Sequence, residues 1–323
     1  MMRDGLHLRR KIVSLLAGIG LATMLVSCGY SEEEEAMKQK GVDALGAGDY
    51  AGAVTSFNSA LSMSNGRVRA EEIDICYYKA AAQYLAGEEQ EALNTYTALL
   101  RFDEKNVDAY YLRGMLYAKM GNAEKAKADF DKAMKLDPKD YERYLRIYRN
   151  LASLNMGEMA DQYLDKLLQT DSTSKEAYSA KGMALEIRGD YDSAAENYEK
   201  ALKKGDTSAY IDLARIQGLK GEMDAAASYL KSYQKEAKPN SLSYNAVGQL
   251  ELSQGKYADA LESFQKGLAL EKVTNRQELR RNEIIALEYT GDFAQAKEKA
   301  ASYVCDYPAD QEMLNENVFL STR

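Results

Sequence analysis

A chain of 323 residues is long enough for two ordinary domains, and with 28% charged residues and three prolines it has the make-up of a charged helical protein. Its net charge of −8 argues against general binding to nucleic acid or anionic lipid. His7 is the only histidine, and the three cysteines stand far apart at positions 28, 76 and 305, which leaves no spacing for a metal site.

The chain opens on a segment unlike the rest. Arg3, Arg9, Arg10 and Lys11 precede an apolar run from Ile12 to Ser27 that is short for a membrane span and ends at a small residue. That is the pattern of a secretory signal peptide, residues 1–27. Its last residues, Leu25-Val26-Ser27-Cys28, resemble the lipobox of bacterial lipoproteins. The resemblance implies that Cys28 becomes the first mature residue and carries two or three acyl chains, enough for stable membrane anchoring. Without residues 1–27, which hold four basic residues and one acid, the charge becomes −11. Gly29 follows the cysteine, a pattern that in diderm bacteria is sent on to the outer membrane; in a monoderm it would leave the protein outside the cell membrane. The expected location is the bacterial cell envelope, facing outside the cytoplasm.

Residues 28–33 are assigned as a lipidated tether. Ser31-Glu32-Glu33-Glu34-Glu35 is open to two readings, an acidic flexible linker or a helix start in which Ser31 and Glu34 make a capping box.

From residue 34 to 308 the sequence repeats itself. Its clearest unit is Val107 to Asp140, in which one helical pattern closes at Gly121 and a second, led by Asn122, carries Ala126, Phe130, Ala133 and Met134 on one face before Asp137-Pro138 stops it. Such a hairpin has a buried face and needs neighbours. The same turn residue recurs at Gly48, Gly87, Gly121, Asn155, Gly189, Gly221, Gly255 and Gly291, with a dominant period of 34. Three more columns accompany it. Ala53, Ala92, Ala126, Ala160, Ala194, Ala226, Ala260 and Ala296 stand five residues after each turn. Phe57, Tyr96, Phe130, Leu164, Tyr198, Leu230 and Phe264 follow four later, with Ala300 departing. Gly41, Ala80, Gly114, Gly182, Ala214 and Gly248 stand seven before the turn, with Tyr148 and Ile284 departing.

Period and columns resemble the tetratricopeptide repeat, whose small eighth, alanine twentieth and bulky twenty-fourth positions these are. The resemblance implies an all-α fold, an α-solenoid of about eight helix-turn-helix repeats in a right-handed superhelix. Tyrosine replaces the family's fourth-position tryptophan in five copies: Tyr110, Tyr144, Tyr178, Tyr210 and Tyr244, each expected to pack one repeat on the next. The fourth and eighth copies diverge most. The wider spacing after the first turn predicts a longer loop from Ser62 to Ala70. Residues 309–323, with Met313, Leu314, Val318 and Phe319, are expected to form a capping helix over the last repeat. Cys76 and Cys305 fall in helical patterns of different repeats and are expected as small buried thiols.

Nothing in the repeats suggests catalysis or a cofactor; acids fall on solvent faces between apolar stripes. In the family, first-helix positions two, five, nine, twelve and thirteen line a concave groove. The fifth gives Tyr77, Tyr111, Leu145, Ser179, Ile211, Asn245 and Arg281; the ninth gives Ala81, Met115, Arg149, Met183, Arg215, Gln249 and Ile285. No copy pairs Lys at five with Asn at nine, so the family's clamp for chaperone tails is not expected. Tyr77, Tyr84, Tyr111 and Met115 are expected as an apolar patch for a partner side chain. Arg146 and Arg149, with Arg143 three residues before, stand beside it as candidate holders of carboxylates.

The expected function is a non-enzymatic, lipid-anchored scaffold that binds a protein or peptide partner in its groove, with no nucleic acid and no small-molecule cofactor. Two alternatives stay open: an accessory subunit of an envelope assembly or secretion complex, and a solute- or carbohydrate-associated lipoprotein.

Overall fold

The computed structural model describes residues 31–322; the signal segment and Cys28 lie outside them. The described residues form seventeen α-helices and no strand: α1 (Glu32–Ala47), α2 (Tyr50–Met63), α3 (Ala70–Leu85), α4 (Glu89–Phe102), α5 (Val107–Lys119), α6 (Ala123–Leu136), α7 (Tyr141–Ser153), α8 (Gly157–Leu168), α9 (Lys175–Ile187), α10 (Tyr191–Lys203), α11 (Ala209–Leu219), α12 (Met223–Glu236), α13 (Ser241–Ser253), α14 (Tyr257–Leu268), α15 (Arg276–Thr290), α16 (Phe293–Asp306) and α17 (Gln311–Ser321). The first sixteen pair into consecutive hairpins, each joined at one of the repeating turn residues. This is an all-α repeat solenoid.

The turn column has one conformation. Gly121 has φ 75° and Asn155 φ 59°, in the left-handed region that costs a residue with Cβ about 1–2 kcal/mol and that asparagine tolerates best after glycine. The second helix then starts within two residues. Asn122 accepts a hydrogen bond from the Lys125 amide, and Asp49, Asp190 and Asp292 cap α2, α10 and α16 in the same way. At the start of the fold, the Glu34 amide donates to Ser31 Oγ at 3.1 Å and the Ser31 amide to Glu34 Oε2 at 2.9 Å. That capping box begins α1 at Glu32, within the span read as tether.

The other columns are two sides of one contact. The eight repeating alanines are at most 1% exposed, because there the two helices of a hairpin approach most closely. A Cβ placed at Gly248 would stand 2.4 Å from the Phe264 ring, and one at Gly182 2.6 Å from Tyr198. A bulky ring at position twenty-four therefore demands glycine or alanine at position eight. The eighth copy keeps the contact by exchange: Ile284 and Ala300, large and small reversed, are both fully buried.

The described helices divide within α8 into two compact units, one ending at Tyr163 and the other starting at Leu164. In the first unit Phe130 meets Tyr111 at 6.1 Å and Tyr163 edge-on at 5.8 Å. Each such ring contributes about 1.5–3 kcal/mol by burial. Arg113 clamps the buried Asp129 through two bonds of 2.7 and 2.8 Å, fastening α5 to α6. The loop expected from Ser62 to Ala70 is shorter, since α2 runs on to Met63; Arg69 at its end bonds the buried carboxylates of Glu34 and Glu72 and ties α1 to α3.

In the second unit Tyr198, Leu213, Phe264 and Tyr303 are fully buried. Here α17 covers the last hairpin with Met313 and Leu320, while Val318 and Phe319 are exposed. The expected stripe is thus corrected. At about 100° per residue, Leu320 lies roughly 20° from Met313 around the helix and Val318 roughly 140°. Cys76 is half-buried and Cys305 exposed, the latter off the buried face set by Ala296, Ala300 and Tyr303; both are free thiols.

Candidate functional site

The first unit holds the residues expected to form an aromatic and basic surface. Tyr77 and Tyr111 are buried, at 6% and 4% exposure, and both have structural partners. Tyr77 Oη donates to Asn106 Oδ1 at 2.5 Å, the same oxygen that caps α5. Tyr111 Oη accepts from Asn150 Nδ2 at 2.9 Å. Burial pushes both phenols up from their ordinary value. They therefore do not form an open patch. Tyr84 and Met115 are half-buried; Tyr84 Oη accepts from Lys119 Nζ at 2.7 Å, with the ammonium 4.9 Å from the ring centre.

The arginine trio separates by burial. Arg143 is 6% exposed, within 3.0 Å of Asp108 and of Asp140 and 3.7 Å of Asp137. It is a structural cation whose partners are these aspartates. Arg146 reaches Asp140 at 3.1 Å and lies 5.6 Å over the Tyr111 ring. Arg149 is exposed. Of the six groove residues expected from the sequence, Arg149 alone is fully available.

Position five explains this outcome. Its side chains reach forward to the next copy: Tyr77 to Asn106, Tyr111 to Asn150, Ser179 Oγ to Asp206 Oδ2 at 2.6 Å, Asn245 Nδ2 to Glu278 Oε1 at 2.8 Å, and Arg281 to Glu312 in α17. The column is a ladder of ties between repeats. Leu145 is buried without a polar partner to reach for, and Ile211 faces open space.

That space is a cleft of about 500 Å³ in the second unit, between α11 and α13 and floored by α12. Its lining includes Ser208, Ile211, Arg215, Gly218 and Leu219 from α11 and its approach, and Leu242, Asn245, Gln249 and Ser253 from α13. These are positions two, five, nine, twelve or thirteen of their copies. Ala214, Gly218, Ala246 and Ser253 leave room between the two helices, and Leu219 and Leu242 stand exposed, at 56% and 48%. Arg215 Nη2 donates to Asp212 Oδ1 at 2.7 Å, and its other terminal nitrogen bonds Glu186. Burial, aided by Asp206, pushes the Asp212 carboxyl up from its ordinary value. A second cleft of about 520 Å³ carries the same columns on at Arg281 and Ile285, with α17 as its other wall. Gly218 and Ala246, the residues that make the first cleft, offer no side-chain signal for a sequence reading to find.

Hairpins stacked through a left-handed turn, an alanine contact and a glycine–ring contact define a helical-repeat protein of two-helix units, with a groove lined by first helices. Models of the tetratricopeptide repeat match residues 107–140 and 179–241. Those segments are tetratricopeptide repeats. A tetratricopeptide repeat protein from Parabacteroides merdae is similar at 22% identity, over 80% of this chain and all of its own, with a TM-score of 0.49. A chain of the Cut9–Hcn1 hetero-tetramer of APC/C is 15% identical over 97% of this chain and 74% of its own, TM-score 0.50. Yeast Tom70 is 16% identical over 98% and 74%, TM-score 0.48. At these identities the likeness concerns the fold alone. None of the curated proteins compared matches the chain in sequence.

Proposed function

We propose that this chain is a non-catalytic scaffold, held at a bacterial membrane by lipid on Cys28, which binds a segment of a partner protein in the groove of its second unit. The observation that carries the reading is the cleft between α11 and α13: it is lined by the family's concave-face positions, it has room for a side chain, and two exposed leucines flank it. The family's use as a protein-interaction scaffold supports it. The basic run, the apolar run and the four-residue box before Cys28 support the anchor.

Crosslinking from intact membranes tests the groove. A Leu219→Asp, Leu242→Asp double variant should lose the partner that the wild type captures, and identical recovery from both would sink the assignment. Cys28→Ala should move the protein from the membrane to the soluble fraction; an unchanged distribution would remove the lipid anchor from the reading.

A further inference from the structure

The cleft between α11 and α13 is unevenly charged. Arg215 is the one basic residue in its lining, and its guanidinium is already engaged by Asp212 and Glu186. Glu186 is itself fixed by the Tyr198 hydroxyl, which donates to Oε2 at 3.1 Å. A third carboxylate, Glu278, is held by amides: Asn245 Nδ2 donates to its Oε1 at 2.8 Å and Gln249 Nε2 at 3.4 Å. Asn245 cannot turn away, because it is 5% exposed and its oxygen accepts from Asn282 Nδ2 at 2.8 Å. Glu278 is thereby fixed at the edge of the cleft by amide dipoles, and the cation that acts on it, Arg215, is already engaged by Asp212 and Glu186. Three carboxylates surround one guanidinium, and the acidic sign of the whole chain adds to theirs.

The apolar side is equally defined. Leu219 and Leu242 stand at the mouth, Ile211, Met223 and Leu250 lie within, and Gly218 has no atom within 4 Å of where a Cβ would sit. Such a site has space for a large apolar group next to an excess of negative charge.

Resting on the reading of this cleft as the partner site, we infer that its occupant is a protein segment presenting a bulky apolar side chain beside a lysine or arginine. The apolar group enters between Leu219 and Leu242, and the cation meets Glu278. The same arrangement repels segments rich in Asp and Glu, so partner choice rests on charge as well as on fit.

The test is fluorescence anisotropy of the full-length protein with three labelled peptides that share one leucine- and phenylalanine-containing core and carry lysine, glutamine or glutamate at the same flanking sites. The lysine peptide should bind about tenfold tighter than the glutamine peptide, the worth of one exposed charge-assisted hydrogen bond, and the glutamate peptide weakest. Glu278→Gln should erase the preference for the lysine peptide over the glutamine peptide. Gly218→Phe, which fills the cleft from a position open at Cβ, should abolish all three, with an unchanged circular dichroism spectrum and melting temperature showing that the variant is folded. Equal binding of the three peptides, lost in Gly218→Phe, would overturn the charge inference and leave the groove standing. Binding that survives a folded Gly218→Phe, or failure of every peptide to bind, would overturn both.

Discussion

Tyr111 separates packing from recognition. Its ring is 4% exposed, 6.1 Å from Phe130, and its hydroxyl accepts from Asn150 at 2.9 Å. Tyr111→Phe keeps the ring, its contact with Phe130 and the Arg146 guanidinium above it, and removes one hydrogen bond between α5 and α7. The cost is about 1 kcal/mol, because the Asn150 amide remains half-buried with its acceptor gone. Tyr111→Ala removes the ring as well and leaves a cavity against Phe130, which raises the cost to roughly 3–5 kcal/mol. With a slope of about 2 kcal/mol per molar urea, the midpoint should fall by about 0.5 M for phenylalanine and about 1.5–2.5 M for alanine. Urea melts followed by circular dichroism measure both, and the loss should appear in the transition of the first unit. A Tyr111→Ala midpoint within about 0.5 M of wild type would refute the reasoning. Paired with loss of partner capture, that result would restore Tyr111 as a surface recognition residue.

Three further outcomes follow from the repeat contacts. Gly121→Ala should destabilise by about 1–2 kcal/mol, since φ there is 75°, whereas Asn155→Gly should be neutral or stabilising; thermal melts of the two variants check the contrast. Gly248→Ile should destabilise by about 1–3 kcal/mol or more by driving a side chain into Phe264, and adding Phe264→Ala should recover much of the loss, because the Ile284–Ala300 pair already uses that exchange; a double variant no better than the single would contradict the coupled-column account. The third concerns acid. Burial raises the Asp310 carboxyl, but the Tyr303 hydroxyl at 2.7 Å, the Met313 amide and Arg281 outweigh it and hold it below the ordinary carboxylate range. A depressed carboxylate stabilises the folded state above its unfolded value near 3.9 and loses that contribution as pH falls through the lower folded value. Protection of α17 against hydrogen exchange should therefore hold at pH 5 and drop below about pH 4 more steeply than in Asp310→Asn.

The fold was legible because each sequence column is a single physical contact repeated. Gly121 and Ala126 stand five residues apart in one copy, and their counterparts keep that spacing in all eight, so the turn and the close approach reinforce each other along the chain. The cap at Asn122, which leads the second helical pattern, was legible too: it bonds an amide three residues on. The site was much less so. Tyr111 and Asn150 lie 39 residues apart, and nothing local to Tyr111 distinguishes a ring that fills an interface from one that lines a groove. The tie could be sought only by asking what polar residue the next copy offers. Arg143 shows the same limit, since Asp140 is local to it but Asp108 lies 35 residues away in the preceding hairpin. Val318 was misassigned through an apolar spacing that the helix turns away from the core.

The position-five column also shows why the open cleft lies where it does. In copies two and three the column is tyrosine, and each ring fills the space between successive first helices while its hydroxyl fastens the next repeat. That use of the ring consumes the groove floor. In copies six and seven the column is Ile211 and Asn245, side chains too small to fill the same space, and the opposed residues Gly218 and Ala246 give no compensation. Asn245 keeps the fastening role through Glu278 and Asn282, so the ladder of ties continues without the bulk of a ring. A binding surface in this chain thus arises where tying and filling are uncoupled, by substituting a small polar tie for a large aromatic one.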